Sequence, residues 1–363
     1  MTTHKEPDIS ITKSLQEGVV IPAHPLALTH TRQLDESRQR LLTQYYIASG
    51  AGGVAVGVHT TEFEIRKPGI DLLEPVLNIA SEEIETAGLK RPFIKVAGIC
   101  GPVEQALREA ELAVKYGYHL GLVSNGGLPG YSEAELIKRT EAISQIIPVF
   151  GFYLQPAAGG RLLSYEFWRE LAEIPAVHAI KIAAFNRYQT LDVVRAVCNS
   201  GRRNEIALYT GNDDNIVADL LTTYQFKVNG ELVEKRFVGG LLGHWAFWTE
   251  KAVELLNEIK QCIAGNYSGM EKLLTKGIEV TDINAVIFDA KNSFHGCIPG
   301  IHEILRRQGL LEGRWCLNPL EELSAGQMEE IDRIYNSYPS FNDDEFVKKF
   351  LETHKKISVS LTD

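Results

Sequence analysis

Short apolar segments alternate with segments of helical periodicity through the first two thirds of this 363-residue chain. Eight segments have the length and apolar character that are typical of buried strands. They cover residues 18–23, 53–57, 93–97, 120–124, 148–153, 177–182, 206–210 and 237–242. The segments that follow them indicate helices. Eight strand–helix units in succession predict an α/β fold, a (β/α)8 TIM barrel. The main alternative is a doubly wound sheet, but no GxGxxG motif follows the first strand.

Three regions follow from this pattern. We expect an N-terminal extension at residues 1–17, the barrel at 18–245, and a C-terminal helical region at 246–363 packed on the barrel. The Asn229-Gly230 dipeptide between two β-prone runs predicts a small hairpin insertion near 225–237. We expect the extra C-terminal helices to pack on the side of the barrel or on another subunit.

Composition excludes several classes of function. The net charge of −10 argues against a nucleic-acid partner, and no stretch is long and apolar enough to span a membrane. Residues 1–16 do not resemble a signal peptide. Five scattered cysteines form neither a CxxC pair nor a disulfide framework, which favours free thiols in a reducing, cytoplasmic compartment.

The most unusual strand residue is Lys181, which lies in the otherwise apolar sixth strand. Active sites of TIM barrels lie at the carboxyl ends of the strands. A buried ammonium is costly, so we expect a lowered pKa and a neutral amine that can attack a ketone. The alternative is a strand-tip lysine that reaches solvent. Tyr153 ends the fifth strand, and we expect it beside Lys181, where a phenol can transfer protons. A tyrosine that only packs on a loop is the alternative here.

Several motifs occur in a familiar order: the first strand at 18–23, the threonine pair Thr60-Thr61, Tyr153 with Pro156 three residues later, and Ile180-Lys181 at 28 residues from Tyr153. Residues 210–214, Thr-Gly-Asn-Asp-Asp, follow at the seventh strand. Together these motifs resemble the dihydrodipicolinate synthase/N-acetylneuraminate lyase family, over roughly residues 18–320, as a divergent member.

The resemblance implies that Lys181 forms a Schiff base and that Tyr153 handles protons. It implies that Thr60 and Thr61 hold the carboxylate of a 2-oxo acid. We also assign His59 to the substrate pocket, as a hydrogen-bond partner or a polar wall residue. The remaining predicted substrate-binding residues lie at the ends of strands or just after them: Gly211, Asn212, Leu242 and Arg187.

Departures from the family pattern limit the function. Ala158 stands where the synthase has an arginine for its second substrate, and Asn125-Gly126-Gly127 replaces a segment that carries a second relay tyrosine. Arg187 is a candidate replacement for the lost arginine, although a surface ion pair is equally compatible with its position.

We therefore predict a Schiff-base-forming class I lyase or aldolase acting on pyruvate or a related 2-oxo acid, rather than an authentic dihydrodipicolinate synthase. The alternatives are a dehydratase or decarboxylating variant on a sugar-derived keto acid, and a non-catalytic keto-acid-binding barrel. We expect no cofactor and no metal, because no HxH or HExxH spacing occurs. Family resemblance predicts a homodimer or homotetramer.

Overall fold

Eight parallel strands form the centre of the protein in a computed structural model that describes residues 7–360, with side chains described to residue 354. The strands are β1 (Val20–Pro22), β2 (Gly53–Val56), β3 (Ile94–Ile99), β4 (Leu120–Val123), β5 (Val149–Leu154), β6 (Val177–Ala183), β7 (Ala207–Thr210) and β10 (Phe237–Leu242). Strand β1 pairs with β10, and a parallel bridge between Ala23 and Ala55 joins β1 to β2. The predicted TIM barrel is confirmed.

The predicted hairpin is also present, as the antiparallel strands β8 (Tyr224–Val228) and β9 (Glu231–Lys235). Asn229 and Gly230 both have positive φ, 51° and 87°, which the tight turn requires. The hairpin lies between the seventh barrel helix and β10, outside the barrel sheet.

Helices surround the strands. In chain order they are α1 (Ile9–Glu17), α2 (Glu36–Ala48), α3 (Leu73–Thr86), α4 (Val103–Lys115), α5 (Glu133–Ser144), α6 (Tyr165–Glu173), α7 (Arg187–Cys198), α8 (Ile216–Leu221), α9 (Thr249–Ala264), α10 (Met270–Ile287), α11 (Cys297–Arg307), α12 (Gln327–Ser337) and α13 (Asp344–Ser360). Side-chain caps stabilise the first turns of several helices. At α5 the Ser132 hydroxyl accepts from the Glu135 amide, and the Glu135 carboxylate accepts from the Ser132 amide. No described helix combines the length and the apolar composition that a membrane crossing requires.

Alternation along each strand divides the core into two parts. One face fills the barrel interior, where Phe150, Phe152 and Tyr209 pack with small aliphatic side chains. The other face, which includes Tyr153 and Ile182, packs against the surrounding helices. Helix α1 also contributes to the interior, since Ile11 and Leu15 join that cluster. The predicted N-terminal extension is thus partly helical, while its residues 1–6 lie outside the described residues.

The C-terminal helices pack on more than one part of the barrel. Helix α9 packs beside β1 and α8, on the outside of the barrel. Beyond it, four residues line a cavity together with Lys181 of β6. They are Phe288 after α10, Phe294 in the following turn, and Cys297 and Ile301 of α11. These residues cover the carboxyl end of the barrel because their apolar side chains find buried surface there. The sequence predicted packing on the side of the barrel or on another subunit; α9 packs on the side, and residues of the α10–α11 region also line the cavity.

Candidate active site

A cavity lies at the carboxyl end of the barrel, where the fold predicts the active site. It encloses about 70 Å³, room for roughly five water molecules. Polar groups line one side of it: His59, Thr60, Gln155, Lys181 and Asp213. The other walls are apolar and include Phe152, Leu154, Phe185, Phe288, Phe294 and Ile301.

Lys181 points into this cavity from β6 and is 8% exposed. Its Nζ lies 4.4 Å from the centroid of the Phe152 ring. Gly211 leaves the room for this side chain, because a Cβ at that position would lie 2.7 Å from Lys181 Cε. Burial lowers the pKa of the Lys181 amine, and the Asp213 carboxylate opposes that shift only in part. The lysine is therefore closer to its neutral, nucleophilic form than a solvated lysine.

Two further ionisable groups face the cavity. Burial raises the pKa of Asp213, against the effect of the nearby Lys181 charge, and the carboxylate accepts a hydrogen bond from the His244 amide at 3.2 Å. Burial, together with the Lys181 charge, lowers the pKa of His59 to about 4. Asp213 thus shares a buried electrostatic environment with the lysine, while His59 is neutral at neutral pH.

Tyr153 does not lie beside Lys181, contrary to the prediction. In the β5–β6 pair Phe152 is the partner of Lys181, and Tyr153 is the partner of Ile182. Tyr153 therefore faces the helices, where its ring stacks on Trp168 with centroids 5.1 Å apart. The register explains the error: Val149 pairs with Val177, but an irregularity in β6 then pairs Phe150 with Ala179.

The two threonines have different positions. Thr60 lines the cavity, and its hydroxyl donates to the His24 carbonyl at 3.2 Å. The Thr61 hydroxyl is buried, donates to the same carbonyl at 2.7 Å, and accepts from the Gly57 and Val58 amides. Thr61 does not line the cavity; its hydrogen bonds hold the loop that presents Thr60 and His59.

Three other predicted binding residues lie outside the cavity. Asn212 is buried, and its side chain accepts from the Phe185 amide at 3.0 Å and donates to Asp219 at 2.9 Å. Leu242 belongs to the core between strands and helices. Arg187 forms an ion pair with Asp219, so it is not the predicted replacement for the carboxylate-binding arginine. Among the four binding residues predicted at or after strand ends, Gly211 alone lines the cavity.

The sequence analysis missed several cavity residues. Asp213 directly follows the predicted Gly211-Asn212 segment and lines the cavity. Gln155 directly follows β5; its Nε2 is buried and has no hydrogen-bond partner among the described residues. Phe185 and Phe294 stack with centroids 5.8 Å apart across the opening. No local pattern indicates that contact, because the two residues are more than a hundred positions apart.

The described residues include one group with ligand atoms close enough to hold a metal ion. It comprises Glu62, Cys316 and Glu321, with ligand atoms within 4.8 Å of one another, and none of the three lines the cavity. Glu62 already accepts from the Leu317 amide at 2.7 Å. His24 is buried, and its ring bonds to the Thr43 hydroxyl at 2.9 Å.

Comparison of this fold with solved structures gives strong matches. A dihydrodipicolinate synthase from Oceanobacillus iheyensis superposes with a TM-score of 0.72 and 18% identity, covering 91% of this chain and 98% of that one. The chain has the fold of these enzymes. An N-acetylneuraminate lyase from Fusobacterium nucleatum matches with a TM-score of 0.68 and 17% identity, over 90% and 99% of the two chains.

A prophage protein of the dihydrodipicolinic acid synthase family from E. coli K12, solved in complex with pyruvate, matches with a TM-score of 0.69 and 18% identity, over 88% and 97%. No family model and no curated protein sequence matches the chain. The predicted resemblance to dihydrodipicolinate synthase and N-acetylneuraminate lyase is therefore confirmed at the level of the fold, by structure neighbours at low identity.

Proposed function

We propose that this protein is a class I lyase that forms an imine between Lys181 and the C2 carbonyl of pyruvate or a similar small 2-oxo acid. The observation that carries the proposal is a buried lysine, with a pKa lowered by burial, inside a cavity at the carboxyl end of a barrel. A neutral amine is the nucleophile that imine formation requires. The proposal needs no metal and no cofactor.

The reaction begins when Lys181 Nζ attacks C2 and the carbonyl oxygen takes a proton. The carbinolamine then loses water to form an iminium ion. Removal of a proton from C3 gives an enamine, whose C3 attacks an aldehyde carbon while the aldehyde oxygen takes a proton. Cleavage of a longer keto acid is the reverse of these steps, and water finally releases the product from the lysine.

Asp213 is the group that we assign to these proton transfers. It lines the cavity with Lys181, and its raised pKa brings it nearer to the range in which a carboxyl both donates and accepts protons. Tyr153, which the family resemblance suggests for this role, faces the helices instead. His59 is the second ionisable group within reach of the cavity.

Thr60 and Gln155 are the groups that we assign to the substrate carboxylate. Both line the cavity, and the buried Nε2 of Gln155 is a donor without a partner among the described residues. An unsatisfied buried donor is costly, so an acceptor that reaches it binds favourably. Thr61 contributes indirectly, by holding the loop that carries Thr60.

The apolar walls favour a compact apolar aldehyde as the second half of the substrate. Phe185, Phe288 and Phe294 offer no hydrogen bonds to hydroxyl groups, and the cavity contains no arginine for a second carboxylate. These walls are poorly suited to sugar-derived keto acids and to aspartate semialdehyde, so we favour the aldolase over the dehydratase or decarboxylase alternative. A cytoplasmic homodimer or homotetramer stays a prediction.

Borohydride trapping tests the proposal, because it reduces an imine to a stable amine. Incubation with pyruvate and borohydride should add one reduced pyruvyl group to the peptide that contains Lys181, measured by mass spectrometry. Lys181→Ala should abolish the adduct. Lys235 is a matched control: burial also lowers the pKa of its amine to about 8, but it lies in the hairpin, away from the cavity.

Lys235→Ala should therefore keep the adduct. Labelling of Lys235 rather than Lys181, or no adduct with any small 2-oxo acid, would rule the proposal out. A keto-acid-binding barrel without turnover is the second candidate, and the absence of a tyrosine in the cavity favours it. One measurement distinguishes this candidate from the lyase. A lyase that forms an enamine exchanges the C3 protons of pyruvate with deuterium oxide, and a protein that only binds pyruvate does not.

A further inference from the structure

Two arginines with buried side chains lie near a single carboxylate, Glu109, outside the catalytic cavity, and only Arg66 bonds to it. Arg66 Nε donates to Glu109 at 3.0 Å, and its Nη2 donates to the Gly57 and Gly98 carbonyls at 2.8 and 3.0 Å. Arg139 is fully buried on α5, and its Nε donates to the Gly101 carbonyl at 2.8 Å. Arg66 thus binds the backbone at the ends of β2 and β3, and Arg139 binds it just beyond β3.

Several donors of this cluster are unused. Arg66 Nη1 and both terminal nitrogens of Arg139 are buried and have no hydrogen-bond partner among the described residues. The Glu109 oxygens are already engaged, since they also accept from Gln105 Nε2 at 2.7 Å and from the Cys100 amide at 2.9 Å. The cluster therefore holds two cations against one fully bonded anion.

This excess charge is unfavourable in the protein interior. A buried cation without a counter-charge loses its hydration and gains no attraction in return. Burial lowers the pKa of Arg139, which reflects the same cost. An anion that reaches the cluster would both neutralise the charge and accept hydrogen bonds from the unused donors.

A groove borders the cluster at Arg66, while Arg139 and Glu109 do not line it. It measures about 490 Å³ and lies at the carboxyl ends of β3 and β4, lined by Arg66, Lys67, Gly101, Gly126 and Gly127 among others. Lys67 is 63% exposed at the rim, where its ammonium is paired with Glu64 at 3.2 Å. The glycines bring bare backbone close to whatever enters, and none of the residues lining the groove is a carboxylate.

We propose that this groove is a second binding site, specific for a small oxyanion, either a carboxylate or a phosphate group. Arg66 is its main contact, and Arg139 supplies the charge behind it. The site is separate from Lys181 but borders the catalytic mouth, since Gly159 of the groove follows Ala158 of the cavity. The inference goes beyond the proposed lyase activity and does not depend on it.

Isothermal titration calorimetry with inorganic phosphate and with succinate, at constant ionic strength in a buffer without other oxyanions, tests the site and separates the two sources. Wild type should bind at least one of them saturably with a stoichiometry of one. Lys181→Ala should bind it equally well, which distinguishes this site from the catalytic cavity and keeps the test valid if the lyase proposal fails.

Variants of the cluster should change affinity in opposite directions. Arg66→Gln should weaken binding by about 10- to 100-fold, the usual scale for a lost charge-assisted hydrogen bond. Glu109→Gln should strengthen it by about tenfold or more, because it removes the competing carboxylate. Arg195→Gln is the matched control, since Arg195 is half-exposed on α7 and pairs with Asp192.

Two results overturn the proposal. One is the absence of saturable binding of either anion to wild type. The other is equal affinity of wild type, Arg66→Gln and Glu109→Gln, which would place the anion elsewhere. In the first case, sedimentation of the same proteins tests whether a second copy of the chain occupies the groove instead. Arg66→Gln would then change the oligomeric state.

Discussion

Asp213 and Lys181 influence each other through a buried, weakly screened interaction. Each has a pKa shifted toward its neutral form by burial, and each charge partly opposes the shift of the other. The pair therefore determines the pH at which the amine becomes nucleophilic. If Asp213 only shifts the pKa of Lys181, its loss should change the pH profile alone. If it also transfers protons, its loss should reduce turnover as well, and one substitution tests both roles.

Asp213→Asn should lower the pKa of Lys181 further, because it removes the charge that stabilises the ammonium. The pH profile of borohydride trapping should move to lower pH. Turnover should fall by about 10²- to 10⁴-fold, the usual scale of general acid–base catalysis. Asp214→Asn is the control, since Asp214 does not line the cavity. An unchanged trapping profile in Asp213→Asn would show that the two side chains do not interact.

For Tyr153 we predict almost no effect on turnover, in contrast to Asp213. Its ring stacks on Trp168 outside the barrel, so its hydroxyl is on the wrong face of β5 to reach the substrate. Tyr153→Phe keeps that packing, and we expect turnover and trapping rate within about twofold of wild type, since substitutions without a buried partner change little. A loss of 100-fold or more in steady-state turnover would mean that the phenol reaches the cavity.

At the scale of secondary-structure elements, the turn between α10 and α11 decides whether the cavity is covered. Asp289 is buried, and its carboxylate accepts from Asn292 Nδ2 at 2.7 Å and from the Gly296 amide at 3.0 Å. Asp289, Ser293 and Phe294 all have positive φ, so the turn needs these side-chain bonds to keep an unfavourable backbone. This turn places Phe294 against Phe185 over the opening.

Asp289→Ala should release the cover without touching the substrate. We expect KM for the keto acid to rise by about tenfold, with a smaller change in kcat, because exclusion of water is lost while Lys181 stays in place. Asp192→Ala, on the exposed face of α7, should change neither constant. Steady-state kinetics, with trapping yield as a check that the barrel is folded, measure this. Equal KM values in the two variants would contradict the role of the turn.

At the scale of the whole molecule, buried histidines make the fold sensitive to acid. Burial lowers the pKa of five histidines to about 4: His24, His59, His119, His244 and His302. The unfolded chain binds protons at these positions from about pH 6.5 downward, whereas the folded chain does not. Their contribution to stability is therefore complete above about pH 6.5 and is lost as the pH falls toward 4.

His24→Gln isolates one of these contributions. Between about pH 6 and 5 the free energy of unfolding of wild type should fall more steeply than that of the variant, by up to about 1.4 kcal/mol per pH unit. The buried carboxyls titrate in both proteins, so their effect cancels in the difference. Urea unfolding at several pH values measures it, with the exposed His295→Gln as control. Parallel slopes in wild type and His24→Gln would contradict the prediction.

The amino-acid sequence by itself determined the barrel, because strand and helix periodicities are local properties of the chain. It also determined Lys181 as the unusual strand residue and the hairpin at Asn229-Gly230. The ends of the strands differ from the predicted ones by at most two residues.

Tertiary structure alone decided which side chains meet at the site. Side chains alternate along a strand, so the extra residue in β6 at this irregularity places Lys181 beside Phe152 instead of Tyr153. The 28-residue spacing of Tyr153 and Lys181 could not reveal that irregularity. The cover by Phe294 and the ion pair of Arg187 with Asp219 likewise depend on contacts between residues distant in sequence. Such contacts arise from burial and charge pairing in the folded chain, and no local pattern encodes them.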